Sequence, residues 1–130
     1  MNDLGTLTRE GPAPAAAHRA LVETLIEGYR QMIGAAHAHH LRVVGATILP
    51  FGGSDYYHPG LETEADLVAL NAWIRGPGHF DAVIDFDSAM RDPRQPARLS
   101  PAFDSGDHLH PSPAGYRAMA AAVPLAALTP

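Results

Sequence analysis

Apolar positions along the chain fall into two kinds of pattern. Between Pro14 and about His40, Leu21, Leu25, Ile26, Tyr29 and Ile33 recur at spacings of three and four, which lays one apolar stripe along a helix. Leu61 to Arg75 repeats the pattern with Leu67, Leu70, Ala72 and Trp73, and Gly76-Pro77-Gly78 stops it. Two other stretches are apolar without such a period. Arg42 to Leu49 is rich in β-branched residues and ends at Pro50, and Asp81 to Phe86 is a shorter run of the same kind. Both read as strands buried on their two faces. Ser112 then stands as an N-cap with Pro113 at the first helical position, and this last helix runs to about Leu128 with a break at Pro124. Residues 1–13 and 87–111 read as loops, the second carrying Pro93, Pro96, Pro101 and Pro111.

The order is therefore helix, strand, helix, strand, helix. A strand, a helical crossover and a second buried strand form a right-handed βαβ unit with parallel strands, so the fold class is α/β. Two strands do not make a sheet that covers three helices. The first strand is apolar on both faces and expects a neighbour on each edge, yet the chain supplies one. Residues 1–130 thus read as a single domain that is incomplete at its N-terminal side, the second half of a larger doubly wound domain. An open strand edge also offers self-association, or pairing with a partner, as an alternative to any chemistry.

Composition narrows the function. The 130 residues are 46% hydrophobic, which is globular rather than disordered. The formal net charge is -5 and all the basic residues are Arg, so no basic surplus invites nucleic acid. With no Cys, thiolate metal sites, disulfides and a cysteine nucleophile are excluded together. The longest apolar runs, 43–51 and 118–128, fall short of the roughly 18 residues of a membrane span. Met1-Asn2-Asp3-Leu4 has neither the basic nor the apolar region of a signal peptide.

Ligands of open parallel sheets bind beyond the carboxyl ends of the strands, here the loops 50–60 and 87–111. The second loop holds Asp104-Ser105-Gly106-Asp107-His108-Leu109-His110. An Asp and a His three apart on a turn can face each other. The carboxylate then takes one imidazole nitrogen and leaves the other as a general base. Asp107 with His110 fits best, Asp104 with His108 next. The plain alternative is a loop ion pair that caps the last helix. Phe51, Tyr56 and Tyr57 on the first loop are candidates to line an acyl or sugar pocket. His37, His39 and His40 lie at a helix end, where residues 37 and 40 share a face and 39 does not, so they make a poor metal set. His108 and His110 with Asp104 could instead form a two-His, one-carboxylate site for a metal-dependent hydrolase.

Asp107-His108-Leu109-His110-Pro111-Ser112-Pro113-Ala114-Gly115-Tyr116 resembles the last motif block of the SGNH hydrolases, the GDSL-type esterases and lipases. In that block an Asp, two residues and a His are followed by Pro and a helix. Met1-Asn2-Asp3 resembles the tail of the family's third block, Gly-x-Asn-Asp. Thr47 to Ser54, the helix carrying Asn71, Trp73, Ile74 and Arg75, and Ala82 to Phe86 are similar to corresponding segments of bacterial members, so the likeness runs along essentially the whole chain. It implies a flavodoxin-like three-layer α/β/α fold with a parallel sheet, here partial with about two strands and three helices. It implies hydrolysis of a carboxylic ester through a serine acyl-enzyme, with no cofactor. His110 would be the base, Asp107 its orienting partner, and Asn2 an oxyanion donor. The family's Gly-Asp-Ser block, which supplies the nucleophile, has no counterpart here, nor does its second block, so the isolated chain is expected to be inactive. Ser105 sits in Asp-Ser-Gly but on the wrong loop. Family members act on acetylated sugars, short acyl esters, lysophospholipids and thioesters, and many are secreted, so substrate and location stay open.

Overall fold

In a computed structural model, residues 1–128 of the chain are described. Eight elements follow in order: α1 (Asn2–Thr8), α2 (Ala15–Ala38), β1 (Val44–Ala46), α3 (Leu61–Arg75), β2 (Ala82–Ile84), α4 (Phe86–Met90), α5 (Pro113–Ala121) and α6 (Leu125–Leu128). β1 and β2 pair in parallel, with Val44 opposite Ala82 and Ala46 opposite Ile84. The crossover between them is α3, as the βαβ pattern requires.

Just beyond β1, two successive side chains go to opposite faces of the sheet. Ile48 packs with Leu4, Tyr57, Leu67, Leu70 and Ile74 on the side of α1, α2 and α3. Leu49, the next residue, packs with Met90 and Leu99 on the side of α4 and α5. The two-stranded sheet thus divides two apolar layers, a small α/β/α sandwich.

The regular part of each strand is shorter than the apolar runs. The ladder continues for one bond beyond each end, Thr47 N–H to Ile84 C=O at 3.1 Å and Asp81 N–H to Val43 C=O at 3.0 Å. At Ile48 a side chain takes over. Asn71 of α3, only 1% exposed, accepts from the Ile48 N–H at 2.7 Å and donates to the Ile48 C=O at 2.8 Å. A carboxamide here does the work of a strand neighbour, satisfying backbone groups that burial would otherwise leave unpaired.

Two segments expected as loop are helical. Asn2–Thr8 forms α1 because Leu4, Gly5 and Thr8 are buried against the rest of the fold, and a seven-residue helix is too short to announce itself by periodicity. Phe86–Met90 forms α4, whose N-cap Asp85 accepts from the Ser88 N–H at 3.1 Å. The last helix breaks as expected: α5 ends at Ala121, and Pro124 separates it from α6. Ser112 caps α5 by accepting from the Gly115 N–H at 3.2 Å, with Pro113 at the first helical position.

Candidate active site

The loop that follows α4 is folded back on itself before it enters α5. Asp104 and Pro111 form an antiparallel bridge, Ser105 N–H donates to His110 C=O at 3.0 Å, and Ser112 N–H donates to Phe103 C=O at 2.7 Å. Gly106 (φ +104) and His108 (φ +57) turn the chain through the left-handed region, which for His108 costs about 1 kcal/mol that the surrounding bonds must hold.

These turns aim Asp107 at its neighbours. Its Oδ1 accepts from the backbone N–H of His110 at 2.8 Å, the N–H of Leu109 at 2.9 Å and the Ser105 hydroxyl at 2.8 Å, while Oδ2 meets His110 Nδ1 at 2.6 Å. The His110 N–H, then the His110 ring, hold the Asp107 carboxyl well below the usual carboxylate range. An ionised carboxylate only accepts, so the proton lies on Nδ1. Among the described residues Nε2 has no hydrogen-bond partner, so its lone pair is open to a general base's task.

A cavity of about 710 Å³ opens beside this pair. It is lined by Met1, Asn2, Asp55, Tyr56, Tyr57, Gly106, Asp107, Leu109 and His110, which brings one end of α1, the loop after β1 and the loop before α5 to one place. Asn2, the first residue of α1, has its Oδ1 held by the Tyr57 hydroxyl at 3.1 Å. Tyr56 is exposed, stands edge-on to Tyr57 at 4.7 Å between ring centroids, and receives a bond from Arg9 at 3.1 Å. Phe51 does not reach the cavity. It is 2% exposed and packs edge-on behind Tyr57 at 6.0 Å, so its place is in the core rather than on the pocket wall.

No serine lines the cavity. Ser54 is buried and accepts from the Tyr56 N–H, Ser105 is spent on Asp107, and Ser112 caps α5. Asp104 pairs with His108 instead: Nδ1 lies 2.5 Å from Oδ2, and the Gly106 and His108 N–H groups add to Oδ1. Burial pushes the Asp104 carboxyl up, but these donors outweigh it and leave the group below its ordinary value. With His108 and His110 each tied to a separate Asp, the two-His, one-carboxylate arrangement is not assembled. Among the described residues no three His, Cys, Asp or Glu side chains converge as a metal set. His37 at the end of α2 bonds to Asp81 at 2.9 Å.

Two clusters built on buried carboxylates carried no sequence signal. His18 of α2 and Asp66 of α3 pair at 2.5 Å in the interior. Asp87, fully buried, takes both Arg75 and Arg91. Arg91 is the C-cap of α4, four residues on from Asp87, but Arg75 reaches it from α3, and only the folded chain brings His18 to Asp66. No helix among the described residues is long and apolar enough to cross a membrane.

The family model for the GDSL-like lipase/acylhydrolase family matches residues 1–118. Two solved structures are similar. A GDSL-like lipase from Bacteroides thetaiotaomicron superposes with a TM-score of 0.75 at 19% identity, covering 98% of this chain and 58% of that one. A protein from Bacteroides fragilis assigned as an acylhydrolase superposes with a TM-score of 0.62 at 21% identity, covering 98% of this chain and 57% of the other. The chain therefore spans under three fifths of the length of either structure, and at these identities the likeness speaks for the fold. No curated protein matches the chain.

Proposed function

Because this chain belongs to the GDSL-like lipase/acylhydrolase family, we propose that it carries the base, the orienting acid and one oxyanion donor of a serine ester hydrolase, and that it needs a nucleophile from outside its own cavity to turn over. The observation that carries this reading is the convergence of Asp107, His110 and Asn2 on one cavity, with His110 Nε2 unbonded among the described residues.

In the reaction a serine hydroxyl attacks the ester carbonyl and its proton passes to His110 Nε2. Asp107 stabilises the imidazolium through Nδ1. The tetrahedral oxyanion accepts from Asn2 Nδ2, a donor worth about 3 kcal/mol in comparable sites. Collapse of the intermediate breaks the bond to the alkoxide, which leaves with the proton from His110. Water then attacks the acyl-enzyme by the same steps in reverse order and releases the carboxylic acid. Tyr56, exposed on the cavity wall, flanks the acyl or alcohol portion of the substrate.

The test compares this 130-residue chain with a gene product that includes the codons upstream of Met1, using p-nitrophenyl acetate. Turnover by the longer form only, lost in His110→Ala, supports the reading. A longer form that holds no Gly-Asp-Ser block and shows no turnover sinks it. A second reading rests on the other edge of β1, which among the described residues pairs with β2 alone: a silent protein that pairs this edge with another copy. A monomer at high concentration by sedimentation counts against it.

A further inference from the structure

The geometry points to Tyr57 as a positioning residue: we infer that its hydroxyl fixes which way the Asn2 carboxamide faces. The inference rests on the reading of Asn2 as an oxyanion donor and adds what makes that donor usable.

A carboxamide has two ends of opposite character, one accepting and one donating. At the rim of an open cavity, nothing intrinsic decides which end meets the substrate. If Oδ1 faced the cavity, it would repel an oxyanion. In the structure Tyr57 donates its hydroxyl to Asn2 Oδ1 at 3.1 Å; a phenol can also accept, but Oδ1 is the acceptor this hydroxyl has among the described residues, so turning Nδ2 towards it would leave the phenol proton unpaired. With Oδ1 engaged, the Nδ2 protons are the free end, and Asn2 is on the cavity wall. Orientation is then set before any substrate arrives, which is the condition under which a dipole stabilises developing charge without reorganising.

Such a device works only if the tyrosine is itself fixed, and four contacts fix it. Its ring is 6% exposed and stands edge-on to Phe51 on one side and Tyr56 on another. Gly5, one turn along α1 from Asn2, lies directly on the ring. A Cβ there would come within 2.3 Å of Tyr57 Cγ, so only glycine lets α1 approach this closely. At the far end of α1, the buried Thr8 hydroxyl reaches the Tyr57 backbone carbonyl at 3.5 Å. Helix and tyrosine are thus fastened at Asn2, Gly5 and Thr8. This gives Phe51 a role as well, as the packing behind the ring.

The chain has only two asparagines, Asn2 and Asn71, which makes the test direct. In the 15N-labelled chain, Asn71 is the rigid internal standard, since both ends of its carboxamide are bonded to Ile48. The side chain of Gln95, at an exposed position, is the mobile one; the Gln31 amide is bonded to Glu27 at 3.1 Å and does not serve. The expected heteronuclear NOE of the Asn2 side-chain amide matches that of Asn71. In Tyr57→Phe it falls by about half toward that of Gln95, while the Asn71 and Leu4 signals stay put. A wild-type Asn2 amide as mobile as that of Gln95 overturns the proposal without any variant, so a misfolded Tyr57→Phe does not protect it. In a form that turns over esters, Tyr57→Phe is expected to lower kcat about tenfold with KM little changed, because the loss is felt by the transition state. Equal loss in KM alone would make Tyr57 a substrate contact and reject the positioning role. An ordered Asn2 amide in a protein that never hydrolyses esters would instead leave this inference standing and remove the proposed function.

Discussion

The molecule holds the same chemical pair, a carboxylate on an imidazole Nδ1, in two different settings. Between α2 and α3, His18 and Asp66 meet at 2.5 Å with side chains 5% and 10% exposed. On the loop before α5, His110 and Asp107 meet at 2.6 Å with side chains 61% and 49% exposed. The distances are alike, so the bond itself does not separate a structural pair from a chemical one. Surroundings do. The buried pair joins two helices whose packing forms the larger apolar layer, and removing either partner strands a polar group in the interior. The loop pair contributes little to packing, and its ring lines a cavity that has Asn2 on the same wall. Asp104–His108 lies between these cases. Its carboxylate is 9% exposed and ties the loop together, its ring is 41% exposed, and neither lines the cavity. One loop therefore carries a pair that shapes it and a pair that it presents.

The sharpest way to break this comparison is to remove each ring in turn. In a form of the protein that turns over p-nitrophenyl acetate, His110→Ala is expected to cost at least ~10³-fold in kcat/KM, the scale of losing a triad base. His108→Ala is expected to stay within about fivefold, and the residual loss should appear as weaker loop order rather than altered chemistry. Matched losses for the two variants would mean that proximity to the cavity does not distinguish them, and the assignment of His110 as base would fall.

Stability should rank the pairs in the opposite order. Asp66→Ala leaves His18 in the interior without its partner, and breaking a buried pair this way costs about 3 kcal/mol. Asp107→Ala exposes a ring that water already reaches and is expected to cost under about 1 kcal/mol. Urea unfolding at neutral pH measures both. A chain that tolerates Asp66→Ala as easily as Asp107→Ala would show that the buried pair does not hold α2 to α3.

The difference between the pairs also explains what could be read from sequence. Asp107 and His110 are three residues apart, so their meeting needs only a turn, and the turn is written in Gly106 and the flanking prolines. The strands, the crossover helix and the Ser112 cap were legible for the same reason: each depends on neighbours along the chain. His18 and Asp66 are separated by 48 positions and meet only after α2 packs on α3. Asn71 standing in for a strand at Ile48, and Gly5 making room for the Tyr57 ring, are likewise products of tertiary approach. α1 and α4 escaped because five to seven residues carry less than two turns of apolar period. Phe51 shows the limit from the other side. An aromatic on the right loop is a fair pocket candidate by position, but one residue's alternation along the chain decides whether it faces the cavity or the core.

The smallest expected effect concerns the charged frame that α3 shares with β2. Arg75, on the helix that carries Asp66, clasps Asp85 with bonds of 2.8 and 2.6 Å and also reaches Asp87. This clasp is the main cause that holds the Asp85 carboxyl down to about 2, against an ordinary value of 3.8, with the Ser88 N–H and the Thr47 hydroxyl assisting. A carboxyl that is more acidic folded than unfolded contributes stability above its unfolded value and loses it as the pH falls. The contribution of Asp85 is therefore complete above about pH 4 and disappears on the way down to about pH 2. Because its side chain is 39% exposed, solvent screens the interaction and the contribution amounts to a fraction of a kcal/mol. Arg75→Met should flatten the fall of the urea midpoint between pH 4 and pH 2, and 1 M salt should flatten it in the wild type as well. What slope survives in Arg75→Met belongs to the Ser88 and Thr47 bonds that Asp85 keeps and to carboxylates elsewhere, including Asp104 and Asp107 of the loop. Identical slopes in the two proteins would place the whole acid sensitivity outside the α3 frame, and the loop pairs would then carry more of the fold than their exposure suggests.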